Sequence, residues 1–351
     1  MNVVLAFNVK PENKNFSEPV SAFQPVPSYS SSKIQDKYAE WDTQETINAL
    51  KDAIAEQHNV TAIEADENFF DEVKRIRPDI VFNVAEGLFG VSREAQIPAM
   101  LEMLQIPYTG SDPQTLSICL DKARTKEILT YHNIKNPKFR IASSINDIDD
   151  TGFEYPLIVK PVFEGSSKGI YSSSFVNNSD ELKKEVERVT TEYEQDALIE
   201  EFLNGREFTV ALMGNGNETE VLPVVEIDFN EFPNDFVPVY SYEAKWILDT
   251  REKPLDVFIC PAKVDITLEE KIKNTALNAY KVLKCRDWSR IDIRLDKKGE
   301  PNIIEINPLP GILPNPEDNS CYPKAARTAG MNYSQMINKV IYTAAKRYNL
   351  V

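Results

Sequence analysis

The sequence predicts a mixed α/β protein whose N-terminal part is built on a parallel sheet. Three observations carry this. Apolar strands alternate with helical segments through residues 2–104, the rhythm that packs helices against a parallel sheet. Farther on, two apolar strands flank Lys297-Lys298-Gly299-Glu300, a linker of hairpin composition. Helical spacing of apolar residues then returns over 268–285 and 333–348.

Composition narrows the function classes. A chain of 351 residues, 42% hydrophobic and 27% charged, is long enough for two or three domains with a real core. Its net charge of −16 argues against a nucleic-acid binder that works by neutralising phosphates. No apolar run reaches the roughly 20 residues of a membrane span, and the start, Met1-Asn2-Val3-Val4-Leu5-Ala6-Phe7, reads as a strand, not a signal peptide. Cys119, Cys260, Cys285 and Cys321 are scattered without a CxxC pair, so reduced thiols in a cytoplasmic protein are expected. The two histidines, His58 and His132, sit among polar residues and offer no Ser-His or Cys-His hydrolase.

In order, residues 2–9 form a strand and a proline- and serine-rich stretch to Trp41 reads as loop, either a flap or an insertion. From Thr43, Ile47, Leu50 and Ile54 recur at helical steps. Residues 79–84 are a buried strand ending in Ala85-Glu86-Gly87-Leu88-Phe89-Gly90, with a helix following through Pro98 and Leu104. Ligands gather where strands of a parallel sheet end, so Glu86 and Arg93 are expected to face a site or, equally, a plain turn. Tyr155 to Pro161 is a strand delivering Lys160 directly before a proline. The loop Glu164-Gly165-Ser166-Ser167-Lys168-Gly169 follows, flexible enough to wrap a phosphate with backbone N–H groups, though not of Walker A form. Asp180 is expected to cap the next helix, 196–203 and 208–212 to be strands about the turn Asn204-Gly205-Arg206-Glu207, and 221–227 a further strand.

The strand Pro301 to Asn307 carries Glu305 and Asn307 on one face, and Arg290 and Asp292 share a face of the strand before it. Pairing them would gather Asp292, Glu305 and Asn307, hard oxygen ligands suited to magnesium beside phosphates. From these residues alone the alternative stays open, a solvent-facing side of a half-buried hairpin.

Taken together the pieces resemble the ATP-grasp superfamily and, within it, the D-alanine–D-alanine ligases. The likeness runs in order over roughly 79–345. It rests on Pro107-Tyr108-Thr109-Gly110-Ser111, Leu120-Asp121-Lys122 with Lys126, Val159-Lys160-Pro161 and Glu164 to Gly169. It continues through Glu200-Glu201-Phe202-Leu203 with Gly205-Arg206-Glu207, Tyr242-Glu243-Ala244-Lys245, Arg290-Ile291-Asp292, Glu305-Ile306-Asn307 and Pro310-Gly311. The resemblance implies an ATP-grasp fold of three domains: 1–112 with the parallel sheet, 113–200, and 201–351 with the metal and catalytic residues. ATP would lie between the last two. Lys122 and Lys160 would contact its phosphates, and Ser166 and Ser167 would sit in the covering loop, Ser166 as a catalytic residue. Glu200, Glu201 and Leu203 would line the adenine pocket, Glu207 would take the ribose, and Lys245 would reach the terminal phosphate. Asp292, Glu305 and Asn307 would hold two magnesium ions, with manganese as a substitute. Arg290 and the Gly311 N–H would stabilise an oxyanion. The implied activity is ATP-dependent joining of a carboxylate to an amine through an acyl phosphate, on amino acid or peptide substrates, in a cytoplasmic homodimer.

The chain departs from the family pattern at substrate contacts. Asn8 to Lys14 lacks the glycine-rich loop and its glutamate. Ile312 to Ser320 replaces a serine-rich run, and Trp246 stands where tyrosine is common. A ligase for another substrate pair, or a nucleotide-binding protein without turnover, are the competing readings. The joint presence of Arg290 with Asp292, Glu305 and Asn307 favours catalysis.

Overall fold

The computed structural model describes residues 1–11, 36–231, 239, 255 and 257–351. The first unit is a parallel sheet of order β2-β1-β3, made by β1 (Asn2–Phe7), β2 (Asn59–Glu64) and β3 (Ile80–Asn83), with α1 (Gln44–Ala55), α2 (Phe69–Ile76) and α3 (Gln96–Leu104) between and after them. The strand β1 is buried on both faces, as the centre of a parallel sheet must be. Val3 and Leu5 join one core cluster, Val4 and Ala6 another. Thr43 caps α1 by accepting from the Thr46 N–H. Neither β2 nor α2 is among the elements that the sequence predicts. Most of β2 is exposed, so its composition carries little apolar signal.

Two helices, α4 (Pro113–Leu120) and α5 (Lys122–Tyr131), lead into an antiparallel sheet of order β4-β7-β5-β6. Its strands are β4 (Phe139–Ala142), β5 (Leu157–Pro161), β6 (Phe175–Val176) and β7 (Ala197–Glu201), with α6 (Ser179–Glu192) covering one face. The cap of α6 is Asn178, which accepts from the Glu181 N–H. Asp180 lies instead inside the first turn, where its charge opposes the helix dipole.

The third sheet is also antiparallel, ordered β11-β10-β8-β12-β13. It comprises β8 (Glu207–Met213), β9 (Glu220–Val221, paired with β8), β10 (Val225–Ile227), β11 (Phe258–Ile259), β12 (Trp288–Leu295) and β13 (Pro301–Asn307). The strand expected over 221–227 is therefore two, broken around Pro223, which lacks the N–H that a ladder needs. The helix α7 (Ile266–Val282) packs on one face. On the other, α8 (Cys321–Thr328) and α9 (Tyr333–Arg347) join a core shared with the first unit.

Fully buried Asp287 pins the units together. It accepts from the Gly110 N–H (2.8 Å), Asn215 Nδ2 (2.7 Å) and Arg347 Nη2 (2.7 Å). Among the described residues no helix is long and apolar enough to cross a membrane.

Candidate active site

Between the second and third sheets lies a cavity of about 520 Å³. Strand alternation decides what faces it. In β5, Leu157 and Val159 point to the α6 core, so Ile158 and Lys160 face the cavity. In β7, Ala197 and Ile199 belong to that same core, and Glu200 is presented with Lys160. In β12, Ile291, Ile293 and Leu295 pack under α7, leaving Arg290, Asp292 and Arg294 toward the cavity.

The hairpin pairs as the sequence suggests, with Arg290 opposite Asn307 and Asp292 opposite Glu305. A bulge between Asp292 and Ile293 shifts the register, so that Ile304 and Glu305, neighbours in the chain, both line the cavity. The turn is closed by Gly299 at φ 74°, a conformation open to glycine without strain.

Four carboxylates of the cavity, Glu305, Asp292, Glu200 and Glu207, each have a cation. Lys122 lies 2.6 Å from Glu305 and also donates to the Glu164 carbonyl. Arg290 meets Asp292 through Nε (3.1 Å) and Nη2 (3.0 Å), and Asn307 Nδ2 donates to Asp292 (3.2 Å). Glu200 is shared between Lys160 (2.7 Å) and Lys126 (2.9 Å). Arg294 holds Glu207 at 2.9 Å. Burial alone would raise the Glu305 and Glu200 carboxyls, but Lys122 beside the first, and Lys126 and Lys160 beside the second, hold both below the usual range. Burial lowers Lys126 to about 8, with Glu200 opposing the shift. Burial prevails at Glu207, whose carboxyl is raised despite Arg294.

The loop 164–169 closes one side. Ser166 (φ 50°) and Ser167 (φ 62°) both adopt left-handed backbone, which costs a residue with a side chain about 1–2 kcal/mol. An added Cβ at Gly165 would lie 2.7 Å from Glu40 Oε1, and one at Gly169 would lie 2.4 Å from Pro161 Cγ. Glu40 accepts from the Gly165 N–H (2.8 Å), Arg93 (2.6 Å) and Lys168 (3.3 Å). Burial opposes ionisation of Glu40, yet Arg93 and Lys168 hold its carboxyl at about 2.

Lys122, Lys160, Ser166, Ser167, Glu200, Glu201, Leu203, Glu207, Arg290, Asp292, Glu305 and Gly311 thus line one cavity, and Asn307 bonds to a lining residue. The Glu201 N–H is donated to the Lys138 carbonyl. Lys245 and Trp246 lie outside the described residues. Arg93, expected at the strand end facing a site, is buried beneath the loop, donating to the Phe163 carbonyl (2.7 Å) and Glu164 (3.4 Å). The carboxyl of Glu86 is pushed well up, by burial first and then by Glu94 and Glu40. Sequence reasoning left Lys126 without a partner and missed Arg294, Glu40 and Asp42. Arg294 was findable two residues beyond Asp292 on the same strand face; nothing local marks Glu40 or Asp42.

Asp292 and Glu305, opposed across two strands with the Asn307 amide beside them, form a hard-oxygen set of the kind that holds magnesium next to phosphates. Among the described residues no cluster of three or more His, Cys, Asp or Glu side chains is gathered for a metal. A magnesium ion there would draw its remaining ligands from phosphates and water, as magnesium usually does. The residues fit the ion.

The family model described as "D-ala D-ala ligase C-terminus" matches residues 127–342. A D-alanine–D-alanine ligase of Alcanivorax borkumensis is 32% identical over 77% of this chain and 78% of its own. One of Pelotomaculum thermopropionicum is 30% identical over 85% and 89%. An uncharacterized protein of Sinorhizobium fredii is 35% identical over 83% and 84%. Among solved structures, the D-alanine–D-alanine ligase of Bacillus anthracis, complexed with ATP, superposes with a TM-score of 0.70 at 22% identity, covering 100% of this chain and 99% of the other. That likeness speaks for the fold.

Proposed function

The chain belongs to the D-alanine–D-alanine ligase family, and on that premise we propose that it is an ATP-dependent ligase joining a carboxylate to an amine. The carrying observation is the convergence of Lys122, Lys160, Arg290 and the opposed Asp292–Glu305 pair on one cavity. ATP would lie between the units 113–200 and 201–351, its phosphates against Lys122 and Lys160, Glu207 toward the ribose and Ile158, Phe202 and Leu203 toward the base. Magnesium held by Asp292, Glu305 and Asn307 would neutralise phosphate charge.

A carboxylate oxygen of the first substrate takes the terminal phosphoryl group, releasing ADP. The amine of the second then forms the amide bond as phosphate leaves. Arg290 and the Gly311 N–H, which line the same cavity, would stabilise the oxyanion of that second step. Ser166 and Ser167, above the phosphates, would exclude water. No nucleophilic side chain is required.

A second reading concerns the substrate. The wall beyond Gly311 carries Ile312, Leu313, Glu317 and Asp318, with Asn319, Ser320 and Cys321, in place of a serine run, and its apolar pair and two carboxylates suit an apolar or cationic acceptor more than a terminal carboxylate. ATP-dependent phosphate release, screened over amino-acid pairs with D-alanine included and products identified by mass, tests both readings. Release with D-alanine alone supports a D-alanine ligase in the strict sense. Release only with other amines supports the second reading, and none with any pair refutes turnover. A homodimer in the cytoplasm completes the proposal; a monomer in light scattering would remove the first part.

A further inference from the structure

The residues just after the proline- and serine-rich stretch are built onto the loop 164–169 from outside. Residues 36–40 form a turn in which the Ala39 N–H donates to the Asp36 carbonyl (2.9 Å), anchored by Trp41 Nε1 on the Gly87 carbonyl (2.9 Å). The turn aims two carboxylates at the two ends of the loop. Glu40 takes the Gly165 N–H at one end. Asp36 takes the other: its Oδ2 accepts from the Gly169 N–H (2.9 Å), the Tyr193 hydroxyl (2.8 Å) and the Tyr171 hydroxyl (3.3 Å). Asp36 is 1% exposed, and its buried Oδ1 has no hydrogen-bond partner among the described residues. A carboxylate so desolvated is costly unless the contacts it makes are needed.

Between the two anchors lie Ser166 and Ser167, both in left-handed backbone. Strain of this kind persists only where surrounding contacts over-determine it. Asp36 sits 133 residues before Gly169, in a different unit of the fold. It does not line the cavity.

We propose that Asp36 is a positioning residue which, through the Gly169 N–H and the Tyr171 and Tyr193 hydroxyls, holds the serine pair over the nucleotide phosphates and so keeps water from the terminal phosphoryl group. The proposal rests on the ligase reading for what the loop covers, but the hold itself does not depend on it. When the hold is lost, the loop relaxes, nucleotide binds less tightly, and water takes the phosphoryl group in place of the substrate carboxylate, giving ADP and phosphate without an amide.

The test compares full-length wild type with Asp36→Ala, Asp36→Asn and the double variant Tyr171→Phe, Tyr193→Phe. Amide exchange over 164–170 is read first, without nucleotide. A non-hydrolysable ATP analogue with magnesium is then titrated by calorimetry, and phosphate release is measured with ATP and no amino acid. Losing hydrogen bonds to a charged group should speed loop exchange and weaken analogue binding about tenfold or more in Asp36→Ala, and substrate-free phosphate release should rise. Asp36→Asn, which keeps one acceptor, should recover part of each effect. The tyrosine variant keeps the rings, and it carries the test should Asp36→Ala fail to fold. Loop exchange, analogue affinity and substrate-free hydrolysis all at wild-type values in a folded variant would overturn the proposal. A wild type that does not bind the analogue would overturn the ligase reading instead, with the loop-exchange arm still deciding the role of Asp36.

Discussion

Asp292 and Glu305 stand directly opposite one another in the β12–β13 ladder. Like charges facing each other across two strands are destabilising. Here each is answered by its own cation, Arg290 at 3.0 Å and Lys122 at 2.6 Å. An arrangement that needs two compensating cations is poor economy for a hairpin and useful for holding a divalent ion.

Replacing Glu305 by Gln, or Asn307 by Ala, should therefore lower ATP-dependent phosphate release by about 100-fold or more, the scale of losing one preorganised charge-stabilising group. The thermal midpoint should move only slightly, because β12 and β13 keep their buried ladder. Near-normal release from either variant would remove the pair from metal binding.

Lys160 and Lys126 share Glu200, so removing Lys160 leaves that buried carboxylate with a partner. Lys160→Ala is accordingly expected to weaken ATP binding about tenfold without unfolding the protein. Calorimetry reads the affinity; an unchanged value would take Lys160 away from the phosphates.

Asp287 is the opposite case. It is fully buried and gathers Gly110, Asn215 and Arg347 from separate elements. Asp287→Ala strips Arg347 of its carboxylate, leaving its guanidinium to the Tyr108 and Gly110 carbonyls, and leaves the Gly110 N–H without its acceptor, a loss of about 3–5 kcal/mol for a broken buried pair. The denaturation midpoint should fall clearly, with residual activity at low temperature; a midpoint equal to wild type would show that the units are held elsewhere.

Stability should fall as pH rises toward neutrality. Burial raises the Asp42 carboxyl to about 7 against the pull of Lys10, and burial raises Glu94 to about 7 against Arg93. The folded chain keeps these protons up to about pH 7, while the unfolded chain releases them near 4. Folding therefore takes up protons between about pH 4 and 7, and stability declines across that window. Glu40 acts with the other sign, being depressed to about 2: its contribution is full above about 4.5 and is lost as pH falls through 2. Asp42→Asn should raise the thermal midpoint at pH 8 by about a few degrees and leave it near wild type at pH 4.5. Equal shifts at both pH values would mean that Asp42 does not titrate in this window.

The hairpin was legible because its chemistry follows a period of two: Arg290 with Asp292, and Glu305 with Asn307, can be paired on paper. The cavity faces of β5 and β7 follow from the same rule. What escaped was non-local. Glu40 contacts Gly165 from 125 residues away, and a carboxylate in a loop-like stretch carries no mark of such a partner. Arg93 was placed by the general behaviour of strand ends, whereas the loop above it claimed its guanidinium. At β2 the apolar signal was absent because much of the strand faces outward.

The packing of α1 against α9 sets an order on how the protein can be made. Ile47, Leu50 and Ile54 of α1 share a core with Met336, Ile337, Val340 and Ile341 of α9. Asn338 and Ser334 donate to the Ala53 carbonyl, Asn338 from 285 residues farther along the chain. During synthesis on the ribosome the first unit must therefore wait, with one apolar face open, for a helix made 285 residues later. A nascent chain arrested at residue 330 is expected to be cut by protease within 44–55, and one released after residue 347 to be protected there. Protection at the shorter length would show that the first unit closes its face without α9.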